Sequence, residues 1–147
     1  MPFFDAPTAT IFINAPPERV MALLADLESY PAWMPFTTRM DGALRVGATI
    51  TEHVQLTRGS SARRLQRVVV TAVEPDRLDW HSEMLGSRAL LFARRTQTVT
   101  REGAGCRYFT RDEMTGLLAP LVLWLYGRVV REGFEAQARA LKARAEG

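Results

Sequence analysis

Residues 119 to 145 read as one long helix, opened by Pro120 in its first turn, where a missing N–H leaves no helical bond unmade. Its two halves differ in character. The segment "APLVLWLYG" is apolar on every side, whereas "RVVREGFEAQARALKARAE" is amphipathic, with Val130, Phe134, Gln137, Ala138 and Leu141 on one stripe. An apolar run of about ten residues is half the ~20 needed to cross a bilayer. It therefore needs another cover: the rest of the protein, a cavity that it walls, a second copy of the chain, or a lipid surface.

What can bury such a helix depends on the chain before it. From residue 37 to 114 the sequence is strand-like. "ATITEHVQLT" and "RLQRVVVTAVE" are rich in β-branched residues, "PDR" turns into "LDWHSEM", and "EGAG" at 102–105 joins "FARRTQTVT" to "CRYFTRDEM" as a hairpin. Earlier, "TATIFIN" alternates, with Ala9, Ile11 and Ile13 facing one way and Thr10, Phe12 and Asn14 the other. "APPERVMALLADL" follows, with Pro16 and Pro17 suited to a first turn and Val20, Leu23, Leu24 and Leu27 at helical spacing. Pro31 and Pro35 forbid a long continuation, so Tyr30, Trp33 and Phe36 fall on a broken segment. The sum is an α+β plan of about seven strands, two short helices and one long C-terminal helix. The sheet must curve, because a flat one cannot bury so long a helix.

Length and charge remove other classes. The 147 residues suit a single domain spanning 1–147. The net charge of +3 comes from basic residues, all arginine except Lys142, scattered among acids and not gathered on one surface, so no nucleic-acid partner is expected. Cys106 is alone, which excludes an intrachain disulfide, and with His53 and His81 it shows no metal-ligand spacing; no metal and no cofactor are expected. "MPFFDAPTAT" lacks the basic flank and apolar run of a signal peptide, so a cytoplasmic location is the expectation.

Three segments in order carry a family resemblance. "INAPPERVMALLADLESYPAWMPF" resembles a strand followed by A-P-x-x-x-V-φ-x-x-L-x-D-x-x-x-Y-P-x-W-x-P, matched at Ala15, Pro16, Val20, Leu24, Asp26, Tyr30, Pro31, Trp33 and Pro35. "VEPDRLDW" resembles V-x-P-x-x-L-x-W at Val73, Pro75, Leu78 and Trp80, and "GCRYFTRDEMTGLLAP" is similar to a last strand running into the final helix. The chain thus resembles the START-like, or SRPBCC, superfamily, which includes the polyketide cyclase/dehydrase family. The resemblance implies a helix-grip fold: a curved antiparallel sheet, two short helices closing one end, and the long helix across its mouth, enclosing a cavity. Tyr30, Trp33, Met34 and Phe36 would then be plug and wall. Thr110 stands where relatives often have His, and Asp112 where they have Glu, so any acid–base role of that His is closed to this chain.

Strand alternation sorts the cavity candidates. In "LDWHSEM" the apolar set Leu78, Trp80, Ser82 and Met84 should face inward, leaving Asp79, His81 and Glu83 in water. The inward set of the last strand, judged by positions aromatic in relatives, is Tyr108, Thr110, Asp112 and Met114; that of the preceding strand is Ala93, Arg95, Gln97 and Val99. If the 102–105 turn sets the register, Gln97 lies opposite Tyr108, Arg95 opposite Thr110, and Asp112 one diagonal step from Arg95. Glu52 shares parity with Ile50, Val54 and Leu56 and should pair with Arg67, while His53 points outward. Residues 59–63 read as a hairpin near the cavity entrance.

The candidate ligand-binding residues are therefore Trp33, Phe36, Trp80, Arg95, Gln97, Tyr108, Thr110, Asp112 and Trp124. Arg95 and Asp112 either pair with each other or with a polar residue of the final helix, as buried charges require, or orient the polar end of a greasy ligand. The leading expectation is a module that binds a hydrophobic small molecule or lipid, as a monomer or weak homodimer without stable membrane insertion. A polyketide cyclase/dehydratase-like enzyme needing neither metal nor nucleotide, or a protein like the coenzyme Q-binding relatives, are the alternatives implied by the resemblance.

Overall fold

The computed structural model describes residues 4–55 and 64–147. Seven antiparallel strands form one sheet: β1 (Phe4–Ile13), β2 (Thr37–Asp41), β3 (Thr49–Val54), β4 (Arg64–Glu74), β5 (Arg77–Met84), β6 (Ser87–Glu102) and β7 (Gly105–Thr115). Their order is β1-β7-β6-β5-β4-β3-β2, so the first two strands are the two edges. Two short helices, α1 (Pro17–Ala25) and α2 (Tyr30–Trp33), carry the chain from one edge to the other, with a 3-10 turn at Leu27–Ser29 between them. The long helix α3 (Ala119–Glu146) follows β7. This is the helix-grip arrangement expected.

The helices stop where the prolines dictate. Pro16 caps α1 in extended geometry and Pro17 opens it; α2 is a single turn with Pro31 near its start, and Met34 before Pro35 is already extended. Register shifts in β1, β2, β4 and β5 bend the strands, supplying curvature that regular ladders would not.

Two large packed groups, besides a small one around Met114 and Ala119, fill the concave side. One joins Ile13, Val20, Leu24, Leu78, Val99 and Tyr108 to Ala138 and Leu141 of α3. The other gathers Leu27, Tyr30, Met34, Ile50, Val68, Val70 and Trp80, and Trp33 bridges the two. Full burial of a side chain such as Leu24 contributes about 1.5–3 kcal/mol. The aromatic plug is held by polar contacts: the Tyr30 hydroxyl donates to the Leu24 carbonyl at 2.5 Å, and Trp33 Nε1 donates to Ser29 Oγ at 3.1 Å.

Gly116 sets where α3 begins. Its φ is 112°, and a Cβ there would lie 2.6 Å from the Leu90 carbonyl oxygen. Only glycine permits this approach, which lets Leu117 and Leu118 donate backbone bonds to Ala89 and Leu90. The start of α3 is thereby pinned to the β5–β6 hairpin.

Three expectations change. Asp79 faces away from the concave side but is not in water: it is 4% exposed and ion-paired with Arg77 two residues back on the same strand face. Glu52 does face inward, yet Arg67 is opposite Thr51 on the other face, because Ile50 pairs with Val68 and Glu52 with Gln66. Glu52 instead accepts a bond from Thr37 Oγ1 at 2.7 Å. The pairing of β6 with β7 differs from expectation by two residues: Gln97 opposes Thr110, and Arg95 opposes Asp112. The expected register centres the turn on residues 102 and 103, whereas Glu102 pairs with Gly105 and the turn is Gly103–Ala104, with Gly103 at φ 62°. His53 lies on the outer face against Asp41, at 2.8 Å. The 59–63 hairpin and Leu56 lie outside the described residues.

Candidate functional site

Alternation along β6 and β7 carries Arg95, Gln97, Tyr108, Thr110 and Asp112 to the inner face, where Trp80 of β5 and Phe134 and Gln137 of α3 meet them. Arg95 organises the group. Its Nε donates to Thr110 Oγ1 at 3.0 Å, its Nη2 donates to Gln137 Oε1 at 2.7 Å, and its guanidinium lies 4.3 Å from the Phe134 ring centre and 5.9 Å from that of Trp80. A guanidinium that is hydrogen-bonded and stacked can stay charged under cover.

Gln97 and Tyr108 close the deep end of the group. The Tyr108 hydroxyl donates to Gln97 Oε1 at 2.5 Å, and both side chains are buried, as is Thr110. Burial pushes the Tyr108 phenol above its ordinary value, while the nearby Arg95 charge pulls the other way. The phenol therefore stays neutral and acts as a donor.

Asp112 is the exception. It is partly buried directly across from Arg95, but the guanidinium has turned to Thr110 and Gln137, and among the described residues the carboxyl makes no hydrogen bond or ion pair. Burial pushes its carboxyl up to about 7, the Arg95 charge opposing and Glu113 adding to the rise. Near neutral pH this side chain can both give and take a proton.

The remaining candidates separate. Trp33 is partly buried, edge-on to Tyr30 with ring centres 5.3 Å apart. Phe36 approaches α3 at Gly133, where an added Cβ would stand 3.8 Å from its ring. Trp124 is not with the others: it is 80% exposed on the outer side of α3. Phe134 and Gln137 belong to the site although neither was among the candidates. The signal for Gln137 was its place as the one polar residue in the apolar stripe of the last helix. Among the described residues no group of His, Cys, Asp and Glu could hold a metal ion.

The family described as "Polyketide cyclase / dehydrase and lipid transport" matches residues 7–146. No curated protein sequence matches the chain. Among solved structures, the di-domain ARO/CYC StfQ from the steffimycin biosynthetic pathway superposes with a TM-score of 0.74 at 16% identity, over 95% of this chain and 49% of that one. The present chain thus spans about half of that di-domain protein. The Zhui aromatase/cyclase from Streptomyces sp. R1128 gives 0.75 at 15% identity over 99% and 94% of the two chains. A START superfamily protein from Mycobacterium smegmatis gives 0.72 at 17% identity over 97% and 98%. At these identities the likeness is one of fold.

Proposed function

We propose, from the premise that the chain belongs to the polyketide cyclase / dehydrase and lipid transport family, that it takes a largely apolar small molecule between the inner sheet face and α3. The polar end of that molecule is received by Arg95 and Asp112, with Trp33, Phe36 and Trp80 as apolar wall. The observation that carries this reading is the unpartnered Asp112 carboxyl opposite a guanidinium engaged elsewhere. Under-solvated polar groups in folded proteins are nearly always satisfied, and one left open on a concave face beside spare guanidinium N–H groups suits a ligand carbonyl, hydroxyl or acid. Protonated, Asp112 donates to such a group; ionised, it accepts from a hydroxyl.

The same carboxyl supports a second reading, a cyclase- or dehydratase-like reaction. A carboxyl titrating at about 7 is matched to proton transfer at neutral pH, and the apolar walls would fold a flexible substrate against it. This reading adds turnover to the first and uses the same residues.

Native mass spectrometry of the protein purified from cells, followed by solvent extraction, tests the binding reading. A defined hydrophobic adduct is expected, reduced in Arg95→Ala and Asp112→Asn and kept in Glu135→Ala, which changes an exposed residue of α3. An adduct retained equally by all three variants would remove the inner polar group from the site. An empty protein that shows no thermal shift with lipids, quinones or aromatic polyketides would overturn the reading altogether. Conversion of a bound polyketide that falls in Asp112→Asn by far more than its loss of binding accounts for would establish the enzymatic reading.

A further inference from the structure

Phe134, Ala138, Leu141 and Ala145 are the buried side chains of the second half of α3, and helical spacing puts Gly127 on the same line, seven residues before Phe134. An inward position on a helix ordinarily carries a side chain that fills the space beneath it. Here a Cβ added at Gly127 would meet nothing beyond its own stretch of helix within 4 Å, whereas one added at Gly133 would stand 3.8 Å from the Phe36 ring. Glycine weakens a helix interior relative to alanine, and no close approach at Gly127 demands one. What it leaves is a half-buried gap on the inner side of α3.

The gap lies between two contacts of α3 with the sheet. Four residues before it, Leu123 packs with the group around Met114 and Ala119, which Ala93 also joins. Seven and ten residues after it, Phe134 and Gln137 hold Arg95. The floor of the sheet is low here too: Ala93 pairs with Ser82 across β5–β6, two residues along from Arg95 and Trp80, or about 7 Å. Both side chains are small and half-buried, and the Ser82 hydroxyl makes no hydrogen bond among the described residues.

We infer that this gap, with Gly127 on the helix side and Ala93 and Ser82 on the sheet side, is the doorway to the Arg95–Asp112 group, and that the missing side chain at Gly127 sets the width of molecule admitted. The inference rests on the ligand-binding reading above and adds to it a route and the residue that governs it. A molecule entering here passes between the Leu123 and Phe134 contacts and brings its leading end to the Arg95 guanidinium. Its body comes to rest between helix and floor. The ligand class is thus a flat or slender apolar molecule with an acid or carbonyl at its leading end; a second oxygen about 7 Å behind that end would meet the Ser82 hydroxyl.

Stopped-flow binding of 1-anilinonaphthalene-8-sulfonate, a flat apolar probe with an acid end, tests it. The parent should bind the probe and Arg95→Ala should bind it more weakly, which locates the probe at the inner polar group. Gly127→Leu should slow association roughly tenfold or more while holding or raising the melting temperature, because a side chain added to open space on a helix loses no contact and improves helix propensity. The same residue placed on the outer side, in Glu135→Leu, should leave the association rate as it is. Ala93→Val, which narrows the gap from the floor, should slow association in the same sense as Gly127→Leu. Probe binding that depends on Arg95 but associates equally fast in Gly127→Leu would overturn this inference and leave the binding reading standing. A Gly127→Leu protein that melts lower than the parent would mean that the space is already filled, and would overturn it as well. No probe binding, or binding that Arg95→Ala leaves unchanged, would overturn both.

Discussion

Arg95 and Asp112 stand directly opposite each other across the β6–β7 ladder, yet no ion pair joins them among the described residues: the guanidinium is committed to Thr110, Gln137 and the Phe134 ring. Unlike charges at facing positions on an inner face would ordinarily pair, since each lowers the other's cost of burial. Here the last helix intervenes with an acceptor, Gln137, and an aromatic surface. The carboxyl is left in an under-solvated position without a partner.

Asp112 should make stability depend on pH in a definite direction. Its folded value, about 7, lies above the ordinary value of 3.8, so between those limits the folded protein holds a proton that the unfolded chain has lost. The Asp112 contribution to stability therefore falls as pH rises through this window and stays low above about 7. Asp112→Asn should melt higher than the parent at pH 8, by about 1–2 kcal/mol given partial solvation, and show little difference near pH 4. Thermal melts of both proteins across this range check it; a parallel offset at every pH would mean that Asp112 does not titrate in the window.

Removing the acceptor of Arg95 should be costly even though the charge remains. Gln137→Leu preserves the apolar stripe but leaves a guanidinium N–H without its partner, with an expected loss of about 1–3 kcal/mol. In a double-mutant cycle with Arg95→Met, the two losses should be clearly less than additive. Additive denaturation free energies would show that the 2.7 Å contact carries no energy.

Arg77→Ala should destabilise the fold without touching ligand binding. Asp79 is buried on the outer sheet face and Arg77 is the cation paired with it, although Arg77 itself is partly in water. The expected loss is about 1–2 kcal/mol, discounted for that exposure. Chemical denaturation measures the first part, and unchanged ligand loading after correction for folded fraction measures the second.

Gly116→Ala should disturb the start of α3. The substitution sets a Cβ against the Leu90 carbonyl and demands a φ that alanine rarely adopts, costing about 1–3 kcal/mol. Hydrogen exchange should show Leu117 and Leu118 losing protection before the rest of the helix. Uniform loss across α3 would place the pinning elsewhere.

The inner and outer sets of β6 and β7 were legible in the sequence because side chains alternate with a period of two. An error of two residues in register moves every partner and leaves every face unchanged. For that reason Arg95, Gln97, Tyr108, Thr110 and Asp112 were grouped correctly although their expected pairings were not. The true register turns on Gly103 taking the first position of a two-residue loop, one step later along the chain than the expected centre. Alternation also put Asp79 on the outer face, but facing out is not the same as facing water: neighbouring side chains and Arg77 cover it.

The sequence by itself determined the elements and their order: proline positions ended the short helices, β-branched alternation made the strands, and the long amphipathic stripe required a curved sheet to receive it. These are local properties, set by backbone sterics and side-chain periodicity within a few residues. Which groups meet was decided only by tertiary structure. Gln137 reaches Arg95 from 42 positions along the chain, and Trp124 faces outward while Phe134, ten residues on, packs inside. The first half of α3 is apolar all round, so periodicity gives it no preferred face; its orientation follows from the Gly116 junction and from where the sheet ends, and no local pattern encodes either.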